Sequence, residues 1–208
     1  TYSRIGGFLA PQPFDARRFR IPPKTLDAID EVQKWALTAV AEALADAGLE
    51  VMPQAGDGRA FNRDRTAVII GNSMGGEAED RTSLRCWYPA AKRAMEQSDA
   101  FKRLDSMTRE TVLAEVELGY KAALPLVTED SMPGELSNCI AGRIANIFNL
   151  RGPNFTTDAA CAASMAALST AADGLALGNF DVAVVGGADR SMDPPTYVKF
   201  SKIGALSG

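Results

Sequence analysis

Residues 154–168 read NFTTDAACAASMAAL, and the fold turns on how this stretch is parsed. Phe155, Thr156 and Thr157 are aromatic and β-branched, the residue types that suit a pleated strand. From about Ala160 the chain becomes small and helix-forming, and it continues so to Leu177, where Gly178 and Asn179 supply a stop. A strand that runs straight into a helix is half of a parallel crossover unit. Cys161 sits at the junction, with Ala159, Ala160, Ala162 and Ala163 on either side.

Outward from this junction the same grammar repeats. The runs TAVIIG (66–71) and DVAVVGGAD (181–189) are short and apolar throughout, as strands covered on both faces require. Between Leu26 and Ala47 the apolar positions Ile29, Val32, Ala36, Val40, Ala43, Leu44 and Ala47 recur at steps of three and four. That spacing predicts a helix with one buried face, with Thr25 as N-cap, Asp27 in the first turn and Gly48 at the stop. Residues 108–124 predict a second helix closed by Pro125, and residues 134–150 a third, with Ile140, Ile144 and Ile147 on one face. Residues 11–24 carry four prolines and read as an extended lead-in; residues 51–65 are a polar loop, and 72–105 are helical in part. Helices alternating with apolar strands predict an α/β layered fold with a mostly parallel sheet.

Composition narrows the function classes. The 208 residues are 46% hydrophobic and 23% charged, enough apolar material for a sizeable core. A net charge of −4 and a pI near 5.0 argue against general affinity for nucleic acid or anionic membrane. No apolar run reaches the length of a membrane span, and no secretory signal opens the chain. The three cysteines, Cys86, Cys139 and Cys161, lack CxxC spacing, which excludes a disulfide scaffold or zinc knuckle and points to a reducing, cytoplasmic setting. The chain starts without methionine and ends at FSKIGALSG, and both ends read as cuts.

Two stretches carry possible chemistry. GNSMG (71–75) has the G-x-S-x-G pattern of a nucleophile elbow, with Ser73 as the hydroxyl. A serine nucleophile needs a general base, however, and the chain contains no histidine; a glycine turn at a strand end is the plainer reading. As a phosphate cradle the loop lacks the required glycine spacing, and Glu77, Glu79 and Asp80 would repel the anion. Cys161 is the second candidate. Free thiols near pKa ~8.5 are mostly protonated at neutral pH, and a helix start favours the reactive thiolate. The alanines around it leave room for a bulky group on sulfur. The alternative is a small buried hydrophobe. Cys139 and Cys86 read as packing residues, and Gly186 and Gly187 as places for close backbone approach.

Together the segments resemble the β-ketoacyl synthase (ketosynthase) family of the thiolase fold. GGF with FDARRFRIPPKTLDAIDEVQKWALTAVAEALADAG is similar to the family's entry segment and first long helix. AGRIANIFNLRGPNFTTDAACAASMAAL resembles its nucleophile region, with AGR, GP and D-x-A-C-x-x-S in order. GNFDVAVVGGAD resembles the strand that follows, and FSKIGALS the lead into the second half. The DAACAAS form is similar to ketosynthases of polyunsaturated fatty acid synthases and iterative polyketide synthases.

The resemblance implies that residues 1–208 are the N-terminal half of a thiolase-like αβαβα domain, incomplete at both ends. An opening strand would precede Thr1; the catalytic histidines, a lysine and the second oxyanion donor would lie in a C-terminal half. It implies that Cys161 is the nucleophile, taking an acyl group from the phosphopantetheine of an acyl carrier protein, with its own N–H as half of an oxyanion hole. Extension by decarboxylative condensation with a malonyl-carrier would follow. No cofactor or metal is implied in this piece, which alone would be inactive and would expose apolar sheet surface. Partners implied are the carrier protein, other domains of a multidomain synthase, and a second copy paired through the strand before Cys161. The basic residues of RDR (63–65) and AKR (91–93) could meet an acidic carrier or simply face solvent. A rival class is the non-catalytic partner protein related to ketosynthases, of the chain-length-factor type; those typically lack the cysteine that is present here.

Overall fold

The computed structural model describes residues 1–10 and 12–208. In chain order they form α1 (Pro23–Leu26), α2 (Glu31–Asp46), β1 (Thr66–Gly71), α3 (Ala78–Gln97), α4 (Asp99–Lys102), α5 (Ser106–Ala122), α6 (Ser131–Glu135), α7 (Asn138–Ile147), β2 (Asn154–Thr157), α8 (Ala163–Ala176), β3 (Val182–Gly187) and α9 (Pro194–Lys202). The three strands make one parallel sheet in the order β2-β1-β3, with Val68 opposite both Asn154 and Val184. NFTT forms a strand at the edge of the sheet, and TAVIIG, as expected of a strand covered on both faces, is buried along its whole length.

The alternation of β1 builds three layers. Val68 and Ile70 point to one face, where they pack with Val32, Leu37 and Val40 of α2 and with Ile140 and Ile144 of α7. Ala67 and Ile69 point to the other, against Ala167 and Ala171 of α8 and against Phe180. On α8 the sheet-facing positions Ala163, Ala167, Ala171 and Gly174 recur every three or four residues and are all small, so the helix lies close on the strands. A Cβ on Gly174 would stand 2.3 Å from the Phe180 ring.

Three boundaries differ from the sequence expectation. The first long helix does not start at Thr25. Pro22 and Pro23 open a single separate turn, and α2 begins after Asp30, whose Oδ1 accepts from the Val32 N–H at 2.8 Å. Asp30 Oδ2 also accepts from Ala78 N at the start of α3, so one buried carboxylate serves two helix starts, which Thr25 could not do. Thr25 Oγ1 donates instead to Asp130. At the other end Gly48 takes φ +66°, the left-handed stop expected of it. Second, residues 134–150 are not one helix: Leu136 is extended and separates α6 from α7. Gly134 lies so close to the Ala28 carbonyl oxygen that a Cβ would be 1.9 Å away, which ties α6 to the entry of α2. Third, the helix expected from Ala160 opens as a 3-10 turn, Ala160–Ala162, before α8 proper.

Helices α3 to α5 stand apart from the sheet. Tyr88 of α3 meets Tyr120 of α5 at 5.2 Å between ring centres, yet α5 has no buried residue.

Candidate active site

All three strands end on the same side of the sheet, and the turn that carries Cys161 is seated there. Two glycines make the seat. A Cβ on Gly71, the last residue of β1, would lie 2.4 Å from the Ala163 carbonyl carbon, and one on Gly187, the last of β3, would lie 2.7 Å from Ser164 Cβ. Only glycine lets the start of α8 settle that far onto the strand ends. For Gly187 this is the close approach read from VVGGAD, whereas Gly186 has open space above it.

The turn itself is strained. Ala160 has φ +49°, a left-handed conformation unusual for a residue with a Cβ. Its N–H donates to Asp158 Oδ1 at 2.8 Å, and the Ala162 N–H donates to the Ala159 carbonyl at 3.0 Å. The N–H groups on either side of Cys161 are thus committed within the turn. The Cys161 residue is exposed, so it is not the small buried hydrophobe that its composition allowed. Ala159, Ala160 and Ala162 are exposed around it and leave the space above the sulfur open. Cys139 is half-buried in α7, consistent with packing; Cys86, also expected to pack, is exposed on α3, because that helix touches the body of the protein along only a narrow face.

GNSMG has a different job from the one its pattern suggests. Its centre is Asn72, buried at 4% exposure, while Ser73 points outward without a base. Asn72 Nδ2 donates to the carbonyls of Gly75 (3.0 Å) and Ala188 (2.7 Å). Its Oδ1 accepts from the Gly75 N–H (2.9 Å) and from Ser137 Oγ (2.7 Å). Its backbone N–H donates to the Thr157 carbonyl at 3.1 Å. Gly75 takes φ +70° to close this loop. Asn72 and Asp158 were not singled out as site residues in the sequence; the one local signal for Asn72 is a polar residue placed directly after a fully apolar strand.

Beyond the turn, the loop after β3 is clasped to the start of α3. Glu77 pairs with Arg190 and accepts from the Met192 N–H at 2.6 Å. An apolar groove of 480 Å³ runs between α2 and the free edge of β3, walled by Trp35, Ala39, Ala43, Val184 and Gly186; the Cys161 turn does not line it. Among the described residues no cluster of histidine, cysteine or carboxylate side chains could hold a metal ion, and no helix is long and apolar enough to cross a membrane.

Comparison with known proteins places this arrangement. The family model for the β-ketoacyl synthase N-terminal domain matches residues 1–208. A polyunsaturated fatty acid synthase chain of Thraustochytrium sp. is 32% identical over 206 residues, which cover 99% of this chain and 7% of that protein. Polyketide synthase GfsB of Streptomyces halstedii is 30% identical over 208 residues, 100% of this chain and 3% of that one. The chain therefore spans only a small part of these multidomain relatives. Among solved structures, the OzmH KS7 ketosynthase domain of oxazolomycin synthesis from Streptomyces albus superposes with a TM-score of 0.59 at 23% identity, covering 93% of this chain and 26% of that one. The module 6 ketosynthase of bacillaene synthase from Bacillus subtilis gives 0.57 at 20% identity, covering 93% and 24%. The fold is the thiolase-like fold of these domains.

Proposed function

The chain belongs to the β-ketoacyl synthase family, through its N-terminal domain, and from that premise we propose that Cys161 is the acyl acceptor of a condensing enzyme in fatty acid or polyketide synthesis. The observation that carries this reading is the exposed thiol on a strained turn at the shared end of a parallel sheet. Function favours such a position, where a backbone is held in a sparsely populated conformation and a side chain is presented outward. The Cys161 thiolate attacks the thioester carbonyl of an acyl group carried on the phosphopantetheine of an acyl carrier protein. The new carbon–sulfur bond forms first, giving a tetrahedral adduct; the old one breaks as the adduct collapses, and the carrier's sulfur leaves as a thiolate that takes up a proton from solvent. In this reading the Cys161 N–H, whose neighbours at Ala160 and Ala162 are bonded within the turn, donates to the carbonyl oxygen as it becomes anionic. A malonyl unit on a carrier then loses CO2, and its carbanion takes the acyl group from sulfur. The family resemblance assigns assistance of decarboxylation to histidines; in this reading they lie outside residues 1–208, which contain none.

A second copy is proposed to pair along β2. That strand has a free edge, Phe155 on it is 38% exposed, and Met165 and Leu168 of the neighbouring α8 are 63% and 52% exposed, an apolar strip of the kind that oligomer contacts cover. Sedimentation of the full-length protein tests this, with Phe155→Asp expected to shift it toward the monomer.

The acceptor role is tested by incubating the full-length protein with an acyl-carrier thioester, digesting it and locating the acyl group by peptide mass spectrometry. The expected result is acylation of the peptide holding Cys161, absent in Cys161→Ala. Label on Ser73 would support a serine hydrolase, and a folded protein with neither label would support a non-catalytic partner protein.

A further inference from the structure

We infer that Asn72 is a positioning residue for the Cys161 turn, and that this, rather than a serine nucleophile, is what GNSMG is for. The inference rests on the acyl-acceptor reading of Cys161 and extends it to the groups that hold the turn.

An asparagine amide can make four hydrogen bonds, two as donor and two as acceptor, and Asn72 makes all four inside the protein. Its orientation is not interchangeable. Nδ2 faces two carbonyls that can only accept, and Oδ1 faces a backbone N–H that can only donate, so a flipped amide would break three bonds. Each partner belongs to a different element at the strand ends: Gly75 to the loop after β1, Ala188 to the residue after β3, and Ser137 to the entry of α7. Through its backbone N–H Asn72 also holds Thr157, the last residue of β2 and the one before Asp158. Next to it, Gly71 accepts from the Ala188 N–H at 3.0 Å and supports the Ala163 backbone from below.

The strand ends under the Cys161 turn are therefore set at fixed heights by one buried side chain and its own backbone. If the end of β2 moved relative to β1, the Asp158–Ala160 contact and the left-handed Ala160 would move with it. The side-chain partners of Asn72 are all neutral, so the carboxylate nearest the thiol in the turn is that of Asp158, which accepts from the Ala160 N–H. Aspartate in place of Asn72 would face two carbonyls with no hydrogen to give, and serine is too short to span both loops. The hydroxyl of Ser137 is the one partner that can be removed singly without touching the backbone.

The test uses the full-length protein and two readouts on Cys161: acylation by an acyl-carrier thioester at varied concentration, and alkylation by iodoacetamide. Ser137→Ala is expected to slow acylation at saturating thioester about fivefold, the worth of one neutral hydrogen bond, with the half-saturating concentration unchanged. Ser137→Thr, which keeps the hydroxyl, is expected to restore the rate. Asn72→Ser is expected to slow it on the order of a hundredfold, since it loses several bonds at once. Should Asn72→Ser fail to fold, the Ser137 pair carries the decision. Unchanged acylation and alkylation in folded Ser137→Ala would overturn the inference. A wild-type protein that takes no acyl group while alkylation slows in Ser137→Ala and recovers in Ser137→Thr would overturn the acceptor reading and leave the positioning role supported.

Discussion

The two ends of the sheet both carry an arginine–carboxylate pair, but they differ in what lies directly against the strand ends. At the N-terminal end of β1 the work is done by arginines. Arg63, only 11% exposed along its side chain, donates to the carbonyls of Phe148 and Glu50 at 2.6 Å each, pairs with the Glu50 carboxylate and stands 4.5 Å from the Phe61 ring centre. Arg65 grips Asp181 and the Gly178 carbonyl, and Arg151 reaches Asp64. At the C-terminal end the Glu77–Arg190 pair clasps the outer loop, but the turn itself rests on two glycines, a neutral asparagine network and a strained alanine bonded to Asp158. Long charged side chains tolerate small displacements, because they can follow their partners. The glycine seat and the saturated amide cannot. The difference separates an end built for holding from an end built for placing a thiol.

That contrast can be broken most forcefully at the seat. Gly71→Ala puts a methyl group 2.4 Å from backbone, where no flexible side chain can yield, and is expected to cost about 3 kcal/mol and to slow Cys161 alkylation. Chemical denaturation and iodoacetamide kinetics check both. Arg63→Ala should cost about 2 kcal/mol by stranding two carbonyls and a carboxylate, yet leave Cys161 alkylation as in wild type. A change in alkylation there would mean the two ends are coupled. Ala160→Gly should stabilise by about 1 kcal/mol, since glycine accepts the left-handed conformation without strain. The same variant sharpens the comparison if thioester acylation slows, because a relaxed turn places the thiol less firmly.

The smallest effect concerns pH. The Gly56 N–H, then the Gln54 N–H and Arg63, hold the Glu50 carboxyl below the usual range against the opposing effect of burial. A depressed carboxyl stabilises the fold above its unfolded pKa, and this is lost as pH falls through the lower folded value. Thermal melts of wild type should therefore show an acid-side loss, below about pH 4, that Glu50→Gln diminishes. Ser73→Ala should change neither melts nor acylation.

Periodicity made the layers legible in part: apolar β1 and the spacing of Val32, Ala36 and Val40 imply a covered strand with a helix on it, as found, whereas equally apolar β3 is only half-buried and borders an open groove. Cys161 was legible as a candidate because a thiol between small residues at a strand–helix junction has few structural reasons to be there. Asn72 was hidden in a pattern that pointed to Ser73, because its four partners lie as far away as Ala188. The start of α2 was misread at Thr25 because the competing cap, Asp30, gains its second helix from residue 78.

By itself, then, the sequence determined the three strands, the amphipathic face of α2, helices α5 and α8, and where the candidate thiol lies along the chain, since these follow from short-range spacing and residue type. Only the tertiary structure decided that Cys161 is exposed, that Ala160 is strained beside it, and that Gly71, Gly187 and Asn72 set the height of its turn. The physical reason is that those properties belong to contacts between residues far apart in sequence, and a hydrogen bond or a missing Cβ has meaning only once its partner has arrived.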